Sequence, residues 1–341
     1  MIQPILAKLV ERVDLTEQEA SDTMAAIMQG VVSPAQVAGF LTALRMKGET
    51  AEELCAFAKI MRQTSIHINV PENALDTCGT GGDGTSSFNI STAAAFVIAG
   101  AGVPVAKHGN RGVSSKCGSA DLLEATGIDI SLTPLQVEQC ISELGIGFLF
   151  APTFHKAMKF VSGPRRELGL RTVFNLLGPL SNPAAVNYQL VGLFTPELTE
   201  KVAEVLCRFR LRRALVVHGS GLDELTTTGT TKVTEISGAH IDTYYVEPEE
   251  FGLRRVRPED IRGGQPDHNR QILLDVLNGN ASPYLDIVIL NAGAGLYAAD
   301  AVTSIRDGVE LARDVIAEGS ALGKLESLRL KSVELRGGRT Q

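Results

Sequence analysis

Two patterns of apolar positions meet near residue 70. Before it, apolar residues recur at helical spacing. Ile2, Ile5, Leu6, Leu9, Val10 and Val13 follow the i, i+3, i+4, i+7 rule of one helix face. Thr16 with Glu19 makes a capping box for a second helix, whose inner face is Ala20, Met24, Ile27 and Met28. Ser33-Pro34 is an N-cap followed by proline at the first helical position, ahead of Val37, Phe40, Leu41 and Leu44. Thr50 and Glu53 form another box before Leu54, Phe57 and Met61. Residues 1–70 are therefore expected to form a small helical domain. Read plainly, it is a cap without chemistry. It also offers more apolar positions than one small bundle needs, which suits a dimer surface that closes over a site from one side.

From residue 73 to 341 short apolar runs replace the helical period. Strands are predicted at 103–106, 147–150, 189–194, 214–218 and 286–290, with helices at 91–100, 134–144, 197–209 and 269–277 between them. Alternating strand and helix means an α/β domain with a mainly parallel sheet covered on both faces. Residues 233–236 and 243–246 read as an added strand pair. The Gly-, Pro- and Asn-rich stretch 163–187 breaks the alternation, and part of 165–187 is expected to cross back to the helical domain.

Composition narrows the function. With 341 residues, 44% hydrophobic and 21% charged, the chain is long enough for a large core and ordinary for a soluble protein. No basic region followed by an apolar block opens the sequence, and no run is long enough to span a bilayer, so neither a signal peptide nor a membrane association is read. Five cysteines without a CxxC pair fit a reduced, cytoplasmic setting. A formal charge of −7 argues against nucleic acid as a partner. It leaves room for a small polyanion, because a few N–H groups and cations suffice for one local site.

The densest signal is Asp76-Thr77-Cys78-Gly79-Thr80-Gly81-Gly82-Asp83-Gly84, followed by Thr85-Ser86-Ser87-Phe88-Asn89-Ile90-Ser91-Thr92. Closely spaced glycines let successive N–H groups converge on an anion, and the helix expected from Ser91 adds its own free donors and positive dipole end. Gly79, Gly81 and Gly84 satisfy GxGxxG, but no hydrophobic strand is read before them and no acid follows about 20 residues on to hold a ribose. No Gly-Lys-Ser/Thr follows either, which excludes a Walker loop. The competing reading is a plain glycine turn. A second loop, Lys107-His108-Gly109-Asn110-Arg111-Gly112-Val113-Ser114-Ser115-Lys116-Cys117-Gly118-Ser119, is rich in cations, glycine and serine, as a phosphate or pyrophosphate site requires. Alone it would pass for solvated surface. A third element, His218-Gly219-Ser220-Gly221-Leu222-Asp223-Glu224, ends in adjacent carboxylates able to hold a hard cation; an isolated Asp-Glu pair is usually a solvated turn.

Together these stretches resemble the anthranilate phosphoribosyltransferases. The likeness lies in 79–83, in 107–111, in Arg165-Arg166-Glu167-Leu168-Gly169 running into 171–183, and in Gly221-Leu222-Asp223-Glu224. It runs from the helical start to about Leu322. The resemblance implies a homodimer with the fold of pyrimidine nucleoside phosphorylases and related phosphoribosyltransferases. It implies that phosphoribosyl pyrophosphate (PRPP) meets Gly79, Gly82, Asp83, Ser87, Asn89, Ile90, Ser91 and Thr92. In the second loop the same substrate would meet Lys107, His108, Gly109, Asn110, Arg111, Gly112, Val113, Ser114 and Ser115, with Ser119 after them. Magnesium would be held by Ser91, Asp223 and Glu224. Anthranilate would meet Gly79, Asn110 and Arg165, the last through its carboxylate. No residue is assigned as a catalytic nucleophile; His108 and His155 are candidate proton relays or, equally, hydrogen-bonded structural histidines.

Three rivals make different demands. A pyrimidine nucleoside phosphorylase needs a Lys-His-Ser-Thr-Gly-Gly loop, whereas Lys107-His108 precedes Gly109-Asn110-Arg111. A silent nucleic-acid-binding paralogue should be basic and lack the carboxylates. A role beside the glutamine amidotransferase of anthranilate synthase is compatible with the chain, which carries no amidotransferase segment of its own.

Overall fold

The computed structural model describes residues 2–112 and 115–337; Val113 and Ser114 of the second loop lie outside the described residues. The chain divides into two compact units. One comprises the residues up to His67 together with Pro152–Ala185, the other Ile68–Ala151 and the chain from Val186 on.

The helical unit follows its capping chemistry. Helices span Gln3–Val10, Glu17–Met28, Pro34–Lys47 and Ala51–Thr64. Thr16, Ser33 and Thr50 each accept from the N–H three residues on, and Glu19, Gln36 and Glu53 return the bond. Glu53 does more. Its buried carboxylate also takes the N–H of Leu15 at 2.9 Å and pairs with Lys47 at 2.9 Å, so one capping residue ties three segments. Leu9, Met24, Ile27, Phe40, Leu41, Leu44, Leu54 and Phe57 form the core, with Phe40 and Phe57 edge to face at 5.9 Å. Val10, the last residue of the first helix, and Val13 beyond its end do not join the inner face: they stand 71% and 47% exposed. The returning segment contributes Ala151–Phe154, Lys159–Leu168 and Phe174–Leu180. It starts well before residue 165. Ile66 donates to the carbonyl of Phe154, and Arg62 to that of Leu180 at 2.7 Å.

The second unit carries a seven-stranded sheet: β1 Leu75–Gly79, β2 Val105–Gly109, β3 Ile146–Phe150, β4 Tyr188–Gly192, β5 Arg213–Gly219, β6 Thr231–Ser237 and β7 His240–Val246. The order is β3-β2-β1-β4-β5-β6-β7, parallel through β5 and antiparallel for the last two. The chain builds outward from β1 to β3, then returns to place β4 on the other side of β1. That reversal is a topological switch point, where loops at the carboxyl ends diverge and leave a crevice.

Two expectations fail here for physical reasons. A strand does precede the first glycine loop: β1 reads Leu-Asp-Thr-Cys-Gly and hides two polar residues. Asp76 is buried and accepts from the N–H of His108 and from the Gln189 amide, so its polarity is satisfied inside the sheet. Residues 286–290 are no strand; they lie within the helix Pro283–Ala298, which is buried almost all round. Burial on every side erases the helical period, and only Ser282 at the N-cap and Pro283 after it mark the start. This helix and Ile90–Gly100 pack together against the sheet. Among the described residues, no helix is long and apolar enough to cross a membrane.

Candidate active site

The carboxyl ends of β1, β2, β4 and β5 bring three of the sequence-predicted elements together. β1 leads into the first glycine loop, where Gly81, Gly82 and Gly84 all take positive φ. Asp83 folds back on the loop, accepting from the N–H of Thr85 at 3.1 Å and its hydroxyl at 2.7 Å. The far side of the loop is sealed by the segment 261–263: Gly263 donates to Ser86 and Phe88 to Ile261. Phe88 is buried against Tyr284. The helix Ile90–Gly100 then begins one residue earlier than predicted. Ile90 and Thr92 have buried side chains, and the Ile90 N–H is taken by the carbonyl of Phe88 at 2.8 Å.

After β5 the chain makes a two-residue reversal. Gly219 and Leu222 exchange both backbone hydrogen bonds around Ser220 and Gly221, which have φ of 48° and 100°. His218 locks this turn: Nδ1 donates to the carbonyl of Leu193 at 2.7 Å and Nε2 accepts from the N–H of Gly221 at 3.1 Å. The turn throws Asp223 and Glu224 across the ends of β1 and β4. Space for this comes from Gly79 and Gly192, paired neighbours in the sheet. A Cβ on Gly79 would overlap the Asp223 carboxylate, and one on Gly192 would overlap the Asp223 carbonyl.

The carboxylates are docked on backbone donors. Asp223 Oδ2 accepts from the N–H of Gly81 at 2.6 Å, and Glu224 Oε1 from that of Ser91 at 3.1 Å. Both are buried. Burial, then the charge of nearby Asp83, pushes Asp223 up to about 7; burial, then Asp223 itself, pushes Glu224 up to about 8. Lys107 opposes the rise at Glu224 by its charge. Its Nζ donates to the carbonyl of Thr77 at 2.5 Å and to Ser91 Oγ at 3.2 Å, and burial lowers its pKa.

The second loop closes on itself. Asp121 accepts from the N–H of Gly112 at 2.9 Å and of Gly118 at 2.8 Å, and Ser119 Oγ donates to the carbonyl of Asn110. Arg111 is engaged by Asp121 at 2.9 Å and Glu124 at 2.5 Å. Asn110, Ser115 and Lys116 are exposed. His108 and His155 are buried, one in each unit. Arg165 lies on Lys159–Leu168 in the helical unit, its guanidinium 5.3 Å over the ring of Phe174. Burial lowers its pKa, and no carboxylate pairs with it among the described residues.

Several contributors escaped sequence reasoning. Asn291 brackets Leu225, accepting its N–H at 3.0 Å and donating to its carbonyl at 2.9 Å, and so holds the far end of the Asp223-Glu224 turn. It sits next to the segment misread as a strand. Gly192 and Asn269 belong to no motif; their roles exist only once the sheet is assembled.

A helical bundle joined to an α/β unit with two glycine loops at its switch point defines a class of glycosyltransferases. The model for the "glycosyl transferase family, a/b domain" matches residues 71–322, and that for the "glycosyl transferase family, helical bundle domain" matches residues 3–65. The chain is 51% identical to an anthranilate phosphoribosyltransferase of Acetivibrio thermocellus, over 96% of its own length and 95% of the relative's. The crystal structure of an anthranilate phosphoribosyltransferase from Thermus thermophilus superposes with a TM-score of 0.92 at 46% identity, covering 96% of this chain and 98% of that one. The Saccharomyces cerevisiae anthranilate phosphoribosyltransferase in complex with PRPP and Mg superposes with a TM-score of 0.88 at 29% identity, covering 97% and 99%. The chain belongs to the anthranilate phosphoribosyltransferase family.

Proposed function

We propose that the protein transfers the phosphoribosyl group of PRPP to the amine of anthranilate, giving N-(5-phosphoribosyl)anthranilate and pyrophosphate, the second step of tryptophan biosynthesis from chorismate. The observation that carries this reading is the meeting of the first glycine loop, the start of Ile90–Gly100 and the Asp223-Glu224 turn at the switch point of the sheet.

The residues present fit a magnesium ion. Asp223 and Glu224 are hard oxygen donors, buried side by side with their protons held too tightly for a carboxylate in water. Among the described residues, no cluster of three or more His, Cys, Asp or Glu side chains could hold a metal unaided. Two carboxylates with the Ser91 hydroxyl suit magnesium, which is commonly shared between one or two carboxylates and substrate phosphates. When bound, the ion supplies charge to the pyrophosphate oxygens.

The chain's own groups do the rest by position. The glycine loop's N–H groups at 82–84, the N–H of Thr92 and the dipole of Ile90–Gly100 receive negative charge that grows on pyrophosphate as its bond to C1′ lengthens. Lys107 adds a buried cation beneath them. The sugar carbon takes on oxocarbenium character, as in other glycosyl transfers. The aromatic amine of anthranilate needs no strong base, so catalysis rests on placement and electrostatics. In this reading Asn110 and Gly79 meet anthranilate, and the unpaired guanidinium of Arg165 receives its carboxylate. The second loop, including Val113 and Ser114, would bind PRPP through its backbone and serines, while Arg111 is already claimed by Asp121 and Glu124.

A homodimer through the helical unit belongs to the same proposal. Val10, Val31 and Met46 leave large apolar side chains open there. Light scattering at micromolar concentration should give twice the chain mass; a monomer mass would refute this part. The five free cysteines agree with a reduced, cytoplasmic setting.

The reaction is tested by following anthranilate fluorescence with PRPP and magnesium. Loss of signal that requires all three components supports the proposal. No loss at any magnesium concentration would sink it.

A further inference from the structure

The helix Ile90–Gly100 opens on asparagine, a residue type well suited to capping an N-terminus through its own side chain. Asn89 does not cap. Its amide is spent elsewhere: Oδ1 accepts from Asn269 Nδ2 at 2.9 Å, and Nδ2 donates to the carbonyl of Cys117 at 3.1 Å. Asn269 is 1% exposed, and its own Oδ1 accepts the N–H of Gly264 at 2.7 Å, which sets the face it turns to Asn89. One buried amide thus joins the segment 261–264, the end of the first glycine loop and, through Asn89, the second loop.

The consequence is visible three residues into the helix. At that position in the helical unit, the N–H of Glu19, Gln36 and Glu53 is taken by the side chain of Thr16, Ser33 and Thr50. Here it is the N–H of Thr92, which has no partner among the described residues. An Asn89 released from Asn269 would have that donor within its ordinary capping repertoire.

Resting on the PRPP reading above, we infer that Asn269 is a positioning residue: by holding the Asn89 amide toward Cys117, it prevents self-capping of Ile90–Gly100 and reserves the Thr92 N–H for the pyrophosphate of the substrate. Toward the pyrophosphate Asn269 acts through Asn89, while its own oxygen keeps the Gly264 N–H. It stabilises an arrangement that the isolated helix would abandon, and it places both glycine loops in one register while doing so.

The test is a double-mutant cycle on the full chain, with calorimetric titration of magnesium pyrophosphate and steady-state kinetics. Asn269→Ala should weaken pyrophosphate binding by about tenfold, the scale of one lost cap-type interaction. It should raise the PRPP KM while leaving the anthranilate KM within about twofold. The melting temperature should fall, because the Gly264 N–H loses its buried acceptor; the split between the two substrates' KM values separates positioning from that loss. In an Asn89→Ala background the same change should have no further effect on pyrophosphate affinity. Wild-type affinity in Asn269→Ala, or an equal loss in both backgrounds, would overturn the inference. Asn269→Asp keeps the acceptor for Gly264 and removes the donor to Asn89; it is read in the same way if the alanine variant does not fold. Absence of pyrophosphate binding by the wild type itself would refute the PRPP reading, and this inference with it.

Discussion

Three helix starts of the helical unit and one of the α/β unit use their N-cap side chains in opposite ways. Thr133, Ser282 and Ser304 cap other helices of the α/β unit in the ordinary manner. In the helical unit Thr16, Ser33 and Thr50 complete reciprocal boxes, and the first-turn N–H at the third position is paired in each case. In the α/β unit the helix Ile90–Gly100 has a competent N-cap residue, yet its side chain is diverted and the N–H of Thr92 has no partner among the described residues. The first arrangement maximises local stability. The second gives some of it up at the place where β1 ends, the glycine loop turns and two carboxylates arrive. Helices that open on Ile2, Met158, Val173, Leu198 or Gln265 have no side chain suited to capping; Asn89 has one, and its diversion is what sets Ile90–Gly100 apart among the described α-helices.

The sharpest way to break this contrast is at the carboxylates. Asp223→Asn with Glu224→Gln should cut turnover by about 10²–10³-fold, the usual scale for losing a charge-stabilising group. The magnesium optimum should move upward. The melting temperature should hold or rise, since two crowded buried carboxylates are replaced by neutral amides that still accept from Gly81 and Ser91. Wild-type turnover across a magnesium titration would mean that the pair is merely structural. Gly192→Ala should come next, lowering turnover by about 10²-fold, because the added Cβ meets backbone that cannot yield without moving the Asp223-Glu224 turn. A variant with normal kinetics would show that the turn tolerates displacement.

In the other unit, Arg165→Ala should weaken anthranilate use by about 1.5–3 kcal/mol, roughly tenfold or more in KM, with the PRPP KM within about twofold. Unchanged anthranilate kinetics would remove Arg165 from the site. Smallest of all, Thr50→Ala should cost about 1 kcal/mol of stability, read as a lower denaturation midpoint, with kcat/KM unaltered. If Thr50→Ala damaged turnover instead, the division between holding and binding helix starts would fail.

The same contrast explains what was legible in the sequence. Capping boxes are written in four consecutive residues, so the helices of the first unit could be read directly from Thr16, Ser33 and Thr50. The glycine loops were legible because closely spaced glycines have few uses besides close approach. β1 was missed because Asp76 is satisfied by His108 and Gln189, partners 32 and 113 residues away. The helix Pro283–Ala298 was misread because burial on all sides leaves no polar face to reveal a period. Gly192, Asn269 and Asn291 carry no local signal whatever. Each serves a neighbour that folding alone supplies: the turn at Asp223, the amide of Asn89 and the backbone of Leu225.

The most direct measurement is a crystal structure of the protein soaked with PRPP and magnesium. The account predicts pyrophosphate oxygens on the N–H groups of the first glycine loop and of Thr92, a metal ion on Asp223 and Glu224, and Asn89 still bonded to Asn269. Pyrophosphate bound away from the start of Ile90–Gly100, or an Asn89 side chain folded over Thr92 with the substrate in place, would contradict it.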